Sequence, residues 1–127
     1  MADPSFAVQV AVFDRLEAEV SCPIYDSVPM NAAMPYITID SEISSNSDIL
    51  NGRRDTRLFY LSVWSNFKGQ EEVKRLMGEV DSALHRRPLP VETGRVISVL
   101  VDRKQANRDA DGETYQGSVT LRILTEH

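Results

Sequence analysis

Residues 56–65 read TRLFYLSVWS, and this stretch decides the expected fold because it is apolar on both sides when extended. Successive side chains of a strand point to opposite faces, which divides the apolar residues into two sets: Leu58, Tyr60 and Trp64, and Phe59, Leu61 and Val63. A strand that is buried on both faces lies inside a sheet. The pattern therefore predicts a central strand with the indole of Trp64 in the core.

The composition is that of a single ordinary globular domain of 127 residues, with 42% hydrophobic and 26% charged residues. No run approaches the roughly 18 to 20 apolar residues of a membrane helix, and the N-terminus lacks the pattern of a secretion signal. The single cysteine, Cys22, excludes an internal disulfide. We expect a soluble, cytosolic protein.

The charge is unevenly distributed along the chain. The formal net charge of −5 argues against free binding to nucleic acid. Residues 1–50 hold eight acidic residues against the single base Arg15, whereas residues 51–127 hold thirteen basic and eleven acidic residues. This asymmetry would allow copies of the chain to associate head to tail.

The first half of the chain predicts a helix and a half-exposed strand. The helix covers residues 4–20, with an apolar stripe at Phe6, Val10, Phe13, Leu16 and Val20. The strand covers residues 35–43, and its three isoleucines alternate with polar residues and are expected to point inward. Residues 44–55 then form a polar connection too long for a simple hairpin, which is either functional or disordered.

The second half predicts one helix and two strands. The helix covers residues 70–86, and the strands cover residues 95–104 and 114–125, joined by the turn sequence NRDADGE. The order α-β-β-α-β-β predicts a single α+β domain over residues 1–127. We expect a roughly four-stranded antiparallel sheet with two helices packed on one face.

Sequence patterns that could support catalysis or metal binding are weak. Asp109 and Asp111 resemble the middle of a calcium loop, but the twelfth position of that loop is Ser118 where a glutamate is needed. Cys22 and His85 could form a thiolate pair, although no third group or signature surrounds either residue. The pattern at residues 109–112 therefore predicts a turn.

The remaining candidates for chemistry are equally limited. Two histidines and one cysteine are too few for a convincing zinc site, and Arg53 with Arg54 is too short a basic run for nucleic acid. We expect no catalytic residue, no cofactor and no metal ion. The residues by themselves predict a domain that binds protein.

Four motifs occur in order along nearly the whole chain: IYDSVP at residues 24–29, MPYITID at 34–40, VWSNFKG at 63–69, and DADG at 109–112 followed by Tyr115 and Gly117. Together they resemble the tail-completion, or tail-terminator, proteins of long-tailed phages and phage-like gene transfer agents. One departure is that members often carry Trp or His just before the glycine corresponding to Gly117. This chain has Tyr115 and Gln116 there, which leaves the local contacts of this strand open.

The resemblance implies a structural role without catalysis. Such proteins form a ring, six subunits in the expected case, on the head-proximal end of the tail tube, where they end tube polymerisation and join the tail to the head connector. The implied partners are other copies of the chain, the tail-tube protein and a connector or stopper protein. DNA would pass through without specific binding, and no membrane is involved. The implied location is the tail-head junction, and before assembly the protein would be in the host cytoplasm.

The candidate interface residues lie in two segments. The first is an irregular segment framed by prolines, which supplies Tyr25, Asp26, Pro29 and Pro35. The second is the long polar connection, which supplies Arg53 and Arg54. The polar connection, residues 44–55, is the candidate for reaching a partner ring or the channel. Other functions stay open: a connector stopper, a small acidic inhibitor or immunity-type module, and an enzyme that would depend on Cys22 or His85.

Overall fold

The computed structural model describes residues 2–127, which form one mixed sheet and two helices. Its elements are α1 (Ser5–Glu19), β1 (Ile24–Tyr25), β2 (Tyr36–Asn46), β3 (Arg54–Ser65), α2 (Glu71–Leu84), β4 (Arg95–Arg108) and β5 (Tyr115–Glu126). The strand order is β1-β2-β3-β5-β4, with β1 parallel to β2 and all other neighbours antiparallel. The α+β class is confirmed, but the prediction of a four-stranded antiparallel sheet is wrong. A fifth strand of two residues is too short to show any period in the sequence.

The prediction of a central strand is confirmed, because β3 lies between β2 and β5. Phe59 and Leu61 on one face are buried beneath both helices, whereas Tyr60 and Trp64 on the other face are only half-buried. The expectation that Trp64 lies in the core is therefore wrong. Both helices pack on the same side of the sheet, so the second face has no helical layer, and the Trp64 indole donates a hydrogen bond to Thr38 Oγ1 at 3.2 Å.

The first helix buries only part of the predicted stripe, including Leu16 and Val20. Val8, Val12 and Leu16 are fully buried, whereas Phe6 is 73% exposed and Val10 is also exposed. The helix is apolar around most of its circumference, so two stripes fit the helical period equally well. Packing on the sheet selects the valine stripe, and the prediction was wrong for Phe6 and Val10.

The second helix has the predicted apolar stripe. Its buried residues are Val73, Leu76, Met77, Val80, Ala83 and Leu84, which recur at spacings of three and four. Glu71 and Glu72 lie in its first turn, where they complement the helix dipole. Neither helix within residues 2–127 combines the length and the apolarity needed to cross a membrane.

A bulge in β2 reverses the direction of its last isoleucine. The pairing with β3 shifts between Ile39 and Ser41, so Asp40 is an extra residue in β2. One extra residue moves every following side chain to the opposite face. Ile37 and Ile39 are therefore buried as predicted, but Ile43 is exposed on the outer face.

Strands β2 and β3 continue well beyond their predicted ends. Their pairing extends to Asn46 opposite Asp55, so only residues 47–53 connect them, and Ile49 forms an isolated bridge with Gly52. The prediction of a long unstructured connection over residues 44–55 is wrong. The polar residues there pair in the ladder because backbone hydrogen bonds between strands do not require apolar side chains.

Candidate interaction surfaces

The sheet gives the molecule two distant ends. Strand β3 runs for twelve residues from Arg54 to Ser65, and a strand rises about 3.3 Å per residue, so the ends lie roughly 35 Å apart. The hairpin end comprises residues 47–53, the start of α1, residues 88–94 and His127. The loop end comprises residues 26–35, 66–70 and 109–114.

The structure separates the six predicted interface residues into two groups. Those at the loop end are Tyr25, Asp26, Pro29 and Pro35, and those at the hairpin end are Arg53 and Arg54. They cannot form one continuous surface, because the length of β3 lies between the groups. The six residues therefore belong to two separate candidate surfaces.

The loop end combines a fixed aromatic pair with exposed apolar side chains. The Tyr25 ring meets the Tyr36 ring edge to face, with centroids 5.6 Å apart. Asp26 borders a small cleft that Tyr36 and Trp64 also line. Met30 is 90% exposed, and Phe67 is also exposed. Large exposed apolar side chains of this kind are candidates for contact with another protein.

At the hairpin end both predicted arginines are engaged within the chain. Arg54 Nε donates to Glu126 Oε2 at 3.1 Å, and Arg53 Nε lies 3.5 Å from Asp48 Oδ1. Hydrogen bonds from Arg95 and Arg54 lower the pKa of Glu126. The exposed group at the tip is instead Leu50, whose side chain is 100% exposed. Leu50 has no clear signal in the sequence, because it lies with Ile49 inside a connection that is otherwise polar.

A third apolar patch lies on α1 beside the hairpin end. Phe6 and Val10 line a groove together with Val91, and the acidic side chains of Asp14 and Glu92 border it. The groove follows from the choice of buried stripe in α1, which leaves the second apolar stripe outside. An apolar groove with acidic borders suits a partner that carries apolar and basic groups.

Both edges of the sheet are at least partly open. Strand β1 pairs with only two residues of β2, so within residues 2–127 no strand lies beyond residues 39–46. Strand β4 is the opposite edge, and the turn after α2 covers its middle. His85 Nδ1 accepts a hydrogen bond from the Val101 N–H at 2.9 Å, and the Arg86 N–H donates to the Val99 carbonyl at 2.8 Å. His85 is thus half-buried and holds the turn against β4.

A buried arginine near the hairpin end is a feature that the sequence analysis missed. The Arg57 side chain is fully buried, and its guanidinium contacts the carboxylates of Asp3, Glu42 and Asp55. It also donates from Nε to Thr125 Oγ1 at 3.0 Å. The pKa of Asp3 is lowered, because the hydrogen bond and charge of Arg57 outweigh the opposing effect of burial.

The signal for this arginine is present in the sequence. Position 57 has the same parity as Phe59, Leu61 and Val63, which form the inward face of the strand. A charged residue in that series is rarely buried unless it is paired. The period of two therefore predicts a buried ionic cluster beneath the helices.

The weak candidates for chemistry have structural roles. Burial raises the pKa of the Cys22 thiol to about 11, with the charges of Glu79 and Glu72 adding to the effect, so the thiol is protonated at neutral pH. Asp111 accepts hydrogen bonds from the backbone of Glu113 and Thr114 at 2.8 Å. These bonds form the predicted turn between β4 and β5.

Comparisons with known proteins give one family and one fold. The sequence profile of the family described as "Tail completion protein gp17" matches residues 10–126. A chain in the solved structure titled "Virion of native gene transfer agent (GTA) particle" superposes with a TM-score of 0.91 at 22% identity, and the match covers 100% of both chains. At that identity the likeness shows a shared fold. No curated protein matches the chain.

Proposed function

Because this chain belongs to the tail completion protein gp17 family, we propose that it caps the head-proximal end of a phage-type tail tube as a closed ring. Family membership identifies it as a structural protein of the tail. The ring, its six subunits, its position and its partners are the proposal. The observation that carries it is the family match over residues 10–126, which includes both sheet edges, the loop end and residues 47–53 of the hairpin end.

A ring requires two complementary patches on different sides of each subunit. The two edges of the sheet meet this requirement, because β2 and β4 lie on opposite sides. Strand β2 carries the exposed acidic residue Asp40, whereas β4 carries the exposed basic residues Arg103 and Arg108. Opposite charges on the two edges favour head-to-tail contact between copies.

The two ends of the molecule are available for two different partners. In the proposed ring, one end contacts the last ring of the tail-tube protein and the other contacts the head connector or stopper protein. Met30 and Phe67 would supply apolar contacts at the loop end, and Leu50 would supply them at the hairpin end. A cap with two unlike ends stops tube growth and joins the tail to the head.

The channel of the proposed ring must let DNA pass. Each chain has a formal net charge of −5, so six copies carry about −30. Negative charge that faces the channel repels the phosphate backbone, and binding to DNA depends mainly on neutralising phosphates with basic side chains. DNA would therefore slide through without specific binding.

Polymerisation of purified tail-tube protein in the presence of this chain tests the proposal. We expect short tubes with a ring at one end, seen by electron microscopy. Arg103→Glu places a negative charge on the β4 edge and should abolish capping, whereas Lys74→Glu, a charge reversal at an exposed position on α2, should not. Unchanged tube lengths with the wild-type chain, or binding to filled capsids in place of tubes, would contradict the proposed cap.

A second pair of variants separates the two ends. Leu50→Asp and Met30→Asp each change an exposed side chain, so neither should affect folding. We expect one variant to lose tube capping and the other to cap tubes but fail to join heads. If both variants cap tubes and join heads normally, these two side chains are not part of the partner surfaces.

A further inference from the structure

His127 has an unsatisfied ring nitrogen in a nearly closed environment. Its side chain is 8% exposed, and Nδ1 is buried without a hydrogen-bond partner among the described residues. The backbone N–H of His127 donates to the Arg53 carbonyl at 3.0 Å, which fixes the residue beside β3. Nδ1 lies 3.9 Å from Asp55 Oδ2, too far for a hydrogen bond. A buried polar atom without a partner is costly and calls for an explanation.

The surroundings of this nitrogen carry excess negative charge. Asp3, Glu42 and Asp55 converge on the single guanidinium of Arg57, so three carboxylates face one cation. With His127 neutral, the formal charge of the cluster is −2. Asp55 is buried and Glu42 is mostly buried, whereas Asp3 is largely exposed to water. One divalent cation would balance the formal charge that Arg57 leaves uncompensated.

The geometry places three ligand atoms together. Asp3, Asp55 and His127 each offer one atom, and the three atoms lie within 4.8 Å of one another. In a tetrahedral zinc site with bonds of about 2.1 Å, ligand atoms are about 3.4 Å apart, so modest side-chain rotation would close the site. The Asp3 side chain is mostly exposed and has room for this movement, and a water molecule can supply a further ligand.

We propose that Asp3, Asp55 and His127 bind a divalent transition-metal ion such as zinc. An imidazole ligand favours zinc and its neighbours in the periodic table over magnesium or calcium, which prefer oxygen ligands alone. The ion neutralises the cluster and gives Nδ1 its missing partner. It also ties together the segment before α1, the start of β3 and the residue after β5. The site does not depend on the proposed ring.

Titration of the untagged full chain with Co²⁺ and Zn²⁺ tests the proposal. We expect one ion per chain by calorimetry, a visible Co²⁺ absorption band, and a higher unfolding temperature with Zn²⁺. His127→Gln and Asp3→Asn each remove one ligand and should weaken binding at least tenfold, because even partners outside the ligand set cost about 10 to 100-fold. His85→Gln removes the other histidine and should leave the affinity unchanged.

Two results would overturn the site. The first is the absence of saturable binding of either metal by the wild-type chain. The second is binding that His127→Gln leaves unchanged, with Mg²⁺ competing equally, because carboxylates alone would then hold the ion. Glu42→Gln provides a graded check: it removes charge without removing a ligand, so affinity should fall by less than in His127→Gln.

Discussion

Gly117 of β5 lies so close beneath Met77 of α2 that a Cβ atom at Gly117 would come within 2.8 Å of Met77 Sδ. The same Cβ atom would lie 2.8 Å from Cγ1 of Val73. Real Cβ atoms do not approach other atoms so closely, so only glycine lets α2 settle on the sheet at this point. The glycine of the DADG-to-Gly117 motif is thus explained by packing between the helix and the sheet.

Gly117→Ala should destabilise the domain by about 1 to 3 kcal/mol, because the added methyl group overpacks the contact between α2 and β5. Gly78→Ala is the matched control. Gly78 lies within α2, and a Cβ atom there would meet nothing within 4 Å. Alanine should therefore raise stability at that position by about 0.5 to 1 kcal/mol. Urea denaturation measures both effects, and similar losses in the two variants would contradict the packing argument.

Trp64→Ala should cost about 2 kcal/mol in the free subunit, because the indole lies on the face that no helix covers and part of its apolar area is exposed in the native state. Phe59→Ala, on the buried face of the same strand, should cost about 3 to 5 kcal/mol. The comparison of unfolding free energies measures which face of β3 forms the core. A larger loss for Trp64→Ala than for Phe59→Ala would reverse that assignment.

Arg57→Met should destabilise the domain by about 3 to 5 kcal/mol, because it leaves the carboxylates around Arg57 without their cation. Arg57→Lys should recover only part of the loss, since an ammonium cannot reproduce the spread of guanidinium contacts. Arg122→Met is the control, because Arg122 pairs with Asp102 at 3.1 Å on the exposed face. Arg122→Met should lower the free energy of unfolding by less than about 1 kcal/mol. If denaturation shows that Arg57→Met and Arg122→Met lose the same free energy of unfolding, the burial of the Arg57 ion pairs does not matter.

The Cys22 thiol should react slowly with iodoacetamide in the native protein. Its raised pKa of about 11 lowers the thiolate fraction at pH 8, and burial restricts access. A rise from the usual value near 8.5 corresponds to a reactivity lower by at least about 100-fold. The same chain in denaturant provides the control, where alkylation should be rapid. Fast native alkylation would place Cys22 at the surface.

The sequence predicted the elements whose period is unambiguous. The α2 stripe is confirmed because its opposite face is polar, and β3 is confirmed as the central strand because both its faces are largely apolar. The stripe of α1 was partly wrong because Phe6 and Val8 both belong to apolar stripes, and only packing decides between them. The direction of Ile43 was wrong because no local signal marks the bulge at Asp40.

The candidate surfaces were only partly predictable. The proline-framed segment and the polar connection gave Tyr25 and Arg53 as interface candidates. Spacing along the chain gives no distance in space, so their separation by the length of β3 was not foreseen. The cluster around Arg57 joins residues 3, 42, 55 and 125, which are far apart in the sequence. A contact set of that kind depends on the strand order, which the pattern of elements does not specify.

The position of β3 between β2 and β5 also constrains the time at which the sheet can form. Its pairs with β5 join residues from 50 positions apart, Ser65 with Tyr115, to 72 positions apart, Arg54 with Glu126. Closing loops of that length is slow compared with forming a local hairpin. During synthesis on the ribosome, the β2–β3 hairpin must therefore keep one edge unpaired until β5 emerges, and a copy becomes competent for assembly only after Glu126 has been made.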